Sequence, residues 1–320
     1  MIEGLAITPP ILGRIAIGKV VERNGTRLPE KDDEFTVTSL VQNREGWVRH
    51  PLDEYLRKAT TEKKLRSLPV RLLFADPDLN LRAQYTAFNR SNGRTVCAGN
   101  GQTCKRSTGE GLASLPCPTP EHCAFGQTLG CKPYGRLNVQ IEGQDDALGS
   151  FIFRTTGYNS IRTLAARLSY FQALAGEALP CLPLSLKLRA KSTTQSHRAA
   201  VYFVDLVVRE GLTLEAALLQ AKQETEARKA HGWNQAALEQ AAAAGLANGA
   251  FEDSEEEAPA VIEEFYAAQG SETPATGVAA RHAAANHAEA APRAPGHRLS
   301  LTDKLHAKAE ALEAPASEVT

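Results

Sequence analysis

Short runs in which apolar and polar residues alternate with a period of two recur between Arg14 and Lys191, and helical spacing interrupts them at a few places. Arg14–Gly18 is a short alternating run ended by glycine, which predicts an edge strand, followed by a loop at Asn24, Gly25, Thr26 and Arg27. Glu34–Ser39 follows, with Phe35 and Val37 set against Thr36 and Thr38. Pro51–Ala59 predicts a short helix, with proline at its first turn and Leu52, Tyr55 and Leu56 on one stripe. Val70–Phe74, a turn at Asp76, Pro77 and Asp78, Leu81–Phe88 and Thr95–Ala98 read as successive strands. After a long irregular stretch, Leu137, Val139 and Ile141 alternate with Asn138 and Gln140, and Phe151, Phe153 and Thr155 alternate with Ile152 and Arg154. The polar turn Gly143–Gly149 between the two runs predicts a hairpin.

A turn at Thr156–Ser160 offers a helix cap, and Ile161, Leu164, Ala165, Leu168 and Phe171 then recur at helical spacing. Leu184, Leu186 and Leu188 point one way along the next strand while Lys187, Arg189 and Lys191 point the other. Val201–Val208 completes a hairpin that this reading places centrally, with one basic face. Past Gly211 the pattern becomes helical: Thr213 caps a helix to about Ala230, and Asn234 starts an alanine-rich one ended by Gly249. The predicted class is α+β: a mostly antiparallel sheet with one packed helix and an inserted zinc-binding loop, followed by a helical and disordered C-terminal tail. The predicted boundaries are a core at 1–212 with the loop at 97–131, helices at 213–250 and an acidic, Ala/Pro-rich, mostly disordered tail at 251–320. A short helix near Ser300–Leu312 is a candidate partner-binding piece.

Charge sharpens this division. Residues 1–214 carry 28 Lys+Arg against 20 Asp+Glu, net +8, and 215–320 carry 8 against 17, net −9, so a near-neutral total hides a basic front and an acidic back. Glu3 and the lack of a long apolar run argue against a signal peptide, and no stretch has the ~20 apolar residues of a membrane span, which suggests a cytoplasmic protein.

Five of the six cysteines, Cys97, Cys104, Cys117, Cys123 and Cys131, fall in the irregular stretch, among glycines and prolines rather than a hydrophobic pattern. In a reducing compartment such a cluster favours a metal over disulfides, and a four-coordinate Zn2+ shell supplies folding energy that a coreless loop lacks. Cys117, Cys123 and Cys131 are the expected ligands, completed by either Cys97 or Cys104; His122 would have to displace one of them. Their spacing matches neither a standard finger nor a thioredoxin motif. A catalytic zinc also needs a general base, and no HExxH motif or deaminase-type His-x-Glu is present, so the expected zinc is structural. Gly99, Asn100 and Gly101 before Lys105 do not make a Walker loop, and no GxSxG elbow exists. Cys181, between Pro180 and Leu182, reads as a small core residue. Arg162, Arg167, Lys187, Arg189, Lys191 and Arg198 form a candidate surface for nucleic acid or an acidic partner; the alternative is a strand edge protected by charge. The basic run Lys58, Lys63, Lys64 and Arg66 reads as a solvated connector.

Two motif sets carry a resemblance. One is Gly13–Gly18 with Asp33, Glu34 and Phe35; the other is Cys117-Pro118, Cys123, Cys131–Leu137 and Phe153–Ile161. Together they are similar to the recombination directionality factor family, which partners serine integrases in phages, and to mobile-element relatives often labelled hydrolase or metal-binding proteins. The resemblance spans about residues 10–210. It implies a non-enzymatic protein that binds a site-specific recombinase and switches recombination from integration to excision, with Cys117, Cys123, Cys131 and the Thr155–Ile161 turn as the matching residues. DNA binding for element replication or transfer, and a zinc-dependent hydrolase, are the competing expectations.

Overall fold

The computed structural model describes residues 2–23, 26–44, 46–60, 62, 64–192, 194, 200–253, 261 and 265, with side chains undescribed at 19–32. These residues belong to one compact unit within Met1–Thr273. In chain order the first elements are β1 (Ile11–Arg23), β2 (Thr26–Asn43), β3 (Gly46–Arg49), α1 (Pro51–Ala59), β4 (Ser67–Arg71), α2 (Pro77–Asn80), β5 (Leu81–Phe88) and β6 (Thr95–Gly99). Then come β7 (Thr103–Thr108), β8 (Gly111–Pro116), α3 (Ala124–Leu129), β9 (Lys132–Ile141) and β10 (Ser150–Thr155). The chain continues through α4 (Tyr158–Ala175), β11 (Leu184–Lys191), β12 (Val201–Val208), α5 (Leu214–Ala230) and α6 (Gln235–Ala247).

Among the described residues twelve strands join into one sheet, ordered β3-β2-β1-β10-β9-β5-β6-β7-β8, with β4 leaving β9 to pair β11, and β11 pairing β12. All pairings between these strands are antiparallel except β1 with β10. The α+β class and the β9–β10 hairpin therefore match the sequence pattern. The edge assignment does not: β1 lies between β2 and β10, because β2 runs on far enough to form a long hairpin with it. The β11–β12 hairpin is likewise not central, since β12 pairs with β11 alone and ends its branch.

The core fills one face of this sheet. Val37, Leu137, Val139, Ile141, Phe151 and Phe153 line it, and Leu164, Leu168 and Phe171 of α4 pack on it, each large side chain contributing about 1.5–3 kcal/mol by leaving water. Ala165 is exposed, as is Tyr55 of α1, so the buried stripes are narrower than the spacing suggested. α1 is closed by His50, whose ring accepts from Leu52 N–H, and Thr213 and Asn234 cap α5 and α6 through their side chains. The cap expected before α4 is Gly157, without a side-chain bond.

One packed helix is too few. Ala217 and Ala221 of α5 are fully buried in the main core, and Leu246 of α6 joins Leu73, Phe74 and Leu79 in a second cluster. Alanine-rich faces allow this close approach, which their weak amphipathic signal concealed. The predicted strand at Val70–Phe74 ends at Arg71, and the turn at Asp76 opens α2 instead. No helix among the described residues is long and apolar enough to cross a membrane. The predicted tail lies outside the described residues except for Phe251, Glu252, Asp253, Val261 and Phe265; the Ser300–Leu312 helix lies wholly outside them.

Candidate functional site

The cysteine stretch is not a loop inserted between sheet-forming runs, because it carries the sheet onward. β6, β7 and β8 form an antiparallel meander, with Cys97 opposite Arg106 and Gly99 opposite Cys104. Turn residues at Asn100–Gln102 and Gly109–Glu110 hid these strands from the alternation count. Cys97 and Cys104 are buried; Cys117, Cys123 and Cys131 are half-buried, and all six cysteines are free thiols.

Two glycines set the thiol spacing. A Cβ on Gly99 would stand 2.6 Å from Cys104 Cβ and 2.9 Å from Cys117 Sγ. On Gly126, in α3, it would meet Cys131 Cβ at 3.1 Å and Cys123 Cβ at 3.3 Å. Cys123 Sγ caps α3 by accepting from Gly126 N–H at 3.3 Å and also accepts from Arg106 Nη2 at 3.6 Å. Burial, with added pressure from the Cys97, Cys117, Cys123 and Cys104 charges, pushes the Cys131 thiol up to about 12. Burial first, then Cys97, pushes Cys104 up to about 11. Burial opposes the Arg106 charge, but contacts with Cys97, Cys104 and Cys123 outweigh it, so the guanidinium is held more firmly charged.

Between Cys117 and Cys123, Thr119 adopts φ 70° and ψ 160°, a conformation normally left to glycine and costing about 1–3 kcal/mol. His122 is exposed beside it. Among the described residues no three Cys, His, Asp or Glu side chains are arranged to hold an ion as they stand. The donor types nonetheless suit a soft four-coordinate ion: thiols are supplied by β6, β7, the β8–α3 connection and the residue before β9, and Arg106 would offset the excess negative charge of a four-thiolate shell.

The predicted basic surface is largely engaged within the chain. Arg167 Nε and Arg189 Nε donate to the two carboxylate oxygens of Asp205, at 2.9 and 2.6 Å, and Lys191 Nζ donates to Asn159 at 2.6 Å. Burial works to raise the Asp205 carboxyl, but the two arginines outweigh it and hold it below the usual carboxylate range. Arg162 is exposed, Lys187 is half-buried, and Arg198 lies outside the described residues. Of the Lys58–Arg66 run, Lys64 and Arg66 pair with Asp33, and Lys63 is outside the described residues.

A second basic feature escaped the sequence reading. On the sheet face opposite the core, Arg82, Arg136 and Arg154 stand directly across from one another on β5, β9 and β10. Cross-strand neighbours lie about 5 Å apart, so each like-charged contact would cost roughly 3 kcal/mol at an effective dielectric of 20 if unanswered. The answer comes from beyond α6. Glu252 accepts from Arg82 Nε at 3.0 Å and lies 3.3 Å from Arg136 Nη2; Asp253 accepts from Arg136 Nη1 at 2.6 Å and from Tyr134 Oη at 3.4 Å. Asp253 also lies 4.0 Å from Arg154 Nε. Burial would lower the Arg136 charge affinity, but Asp253 and Glu252 reverse this and raise it. The only sequence signal was the polar set Arg82, Gln84, Thr86 with Lys132, Tyr134, Arg136 at alternate positions.

With this geometry in view, the class is a sheet-based α+β protein closed by a thiol-rich meander. The model of the recombination directionality factor-like family (Gp3-like) matches residues 12–209, and the chain belongs to that family. Neither the curated proteins nor the solved structures contain a match. The matched range runs from β1 to the end of β12, so it includes both the thiol cluster and the arginine row.

Proposed function

We propose that this protein is an accessory factor of a mobile genetic element that binds a serine integrase and sets the direction in which it recombines DNA. The family assignment over residues 12–209 carries this reading, because a recombination accessory role is what that family supports. A direction switch is a coupling free energy: the factor binds one conformation of the recombinase–DNA complex more tightly than another, and needs no bond-breaking chemistry of its own.

The same reading assigns the thiols a structural Zn2+, held by Cys117, Cys123, Cys131 and one of Cys97 or Cys104. Such a shell supplies folding energy to the β6–β8 end. The chain's own part is to place donors through the Gly99 and Gly126 close approaches and to hold Arg106 against them.

The test is a mobility shift with the integrase encoded on the same element bound to its DNA sites. Adding the purified protein should retard the integrase–DNA complex further. An unchanged complex at saturating protein would defeat the proposal.

A further inference from the structure

The arginine row is paired with an apolar slot on the same sheet face. Phe265 packs edge-on against Phe88 and Tyr134, with ring centroids 4.7 and 5.7 Å apart, and Lys132 Nζ sits 4.6 Å from the Phe265 ring centroid. Val261, four residues earlier, is buried in the same cluster. The chain thus places two adjacent carboxylates on the row and two apolar side chains in the slot. Beside the row, between the β5–β8 end and α6, a cleft of about 420 Å³ is lined by Arg82, Gln84, Lys105, Ser114 and Leu246.

We infer that the Arg82–Arg136–Arg154 row and the Phe88–Tyr134 slot form a docking site for an acidic segment of a partner protein, occupied in the free molecule by the chain's own Glu252, Asp253, Val261 and Phe265. The inference stands whether or not the partner is a recombinase. Three arginines in cross-strand register are unfavourable as sheet neighbours in themselves, so the row is explained by an anion that it holds. A carboxylate pair suits it, since guanidinium forks match carboxylates in geometry and charge. The slot favours protein over nucleic acid: both of its rings meet Phe265 at an interplanar angle of 75°, whereas a base binds an aromatic side chain by parallel stacking. The chain's own segment is a tethered competitor, with an effective concentration in the millimolar range for a short connection.

The experiment uses full-length protein and a fluorescein-labelled synthetic peptide with the sequence of residues 249–268. Wild type should bind it weakly. A full-length E252Q/D253N/F265A variant, its own occupant disabled, should bind it roughly tenfold or more tightly, and adding R136A should abolish the gain. Equal binding by wild type and the triple variant would overturn the inference. So would a gain for duplex DNA in place of peptide, or a concentration-dependent dimer of wild type that the triple variant lacks, which would make a second copy the occupant. If the triple variant does not fold, hydrogen exchange on wild type decides. Millimolar unlabelled peptide should speed exchange at 251–253 while β5 and β9 stay protected; unchanged exchange would overturn the inference.

Discussion

The two faces at the β5–β9 end of the sheet are closed by opposite means. On the core side, Cys97, Cys104 and Arg106 of neighbouring strands meet Cys117, Cys123 and Cys131 from the turns that follow them. On the other side, Arg136 finds Asp253 across 117 residues and Arg82 finds Glu252 across 170. The first cluster assembles from one short segment, whose loop-closure cost is small; the second requires nearly the whole fold to be in place. A locally closed site can serve as a staple, and a remotely closed one can be opened without dismantling the sheet.

This contrast can be broken at either end. The largest effect is expected at the thiols. Replacing Cys117 and Cys123 together with serine should remove about one zinc per chain, read by elemental analysis, and unfold the β6–β8 end, read as loss of exchange protection there. Full protection at zero metal content would dissolve the staple account.

Arg136→Ala comes next. Arg136 is 5% exposed and Asp253 4%, so the change leaves a buried carboxylate without its main partner, and about 3–5 kcal/mol of stability should be lost. Denaturant unfolding measures it, and combining R136A with D253N should recover a large part. A loss from R136A that D253N does not relieve would mean that the pair is not the source.

Gly99→Ala tests the thiol spacing more gently. The added methyl meets Cys104 Cβ at 2.6 Å and the Thr103 carbonyl oxygen at 2.9 Å, so a loss of about 1–3 kcal/mol from overpacking is expected, with metal affinity reduced.

Asp205→Asn is the smallest. Arg167 and Arg189 are 42% and 45% exposed, so water replaces much of what the pair loses, and about 1 kcal/mol is expected at neutral pH. The folded-state value of Asp205 is depressed, so its contribution is complete above pH ~4, the unfolded value, and disappears as pH falls through the folded one. Stability of D205N should therefore approach that of wild type in acid; a constant difference across that range would contradict the ion pair.

Much of this was legible in the chain. Pro51 at a first turn, Thr213 and Asn234 at helix starts, and the strand-forming run Leu81–Phe88 all act through neighbours a few residues away, and the elements formed where the pattern placed them. β7 and β8 were missed because Thr103–Thr108 and Gly111–Pro116 are short, polar and partly exposed, so one buried face leaves little apolar trace. The basic surface was misjudged for another reason. Arg167 and Arg189 do lie off the apolar stripes, but Asp205, which accepts from both, sits within the predicted strand Val201–Val208 and showed no sign of its role. The arginine row was hidden further still, since its meaning depends on Glu252 and Asp253, which read as the start of a solvated acidic tail.

Recombination between the two element-end sites, in a reaction of purified components with the element's own integrase, tests the accessory role most directly. Adding this protein should raise excision from near background and depress integration in the same preparation. Unchanged yields in both directions, with folded protein at saturation, would contradict the account.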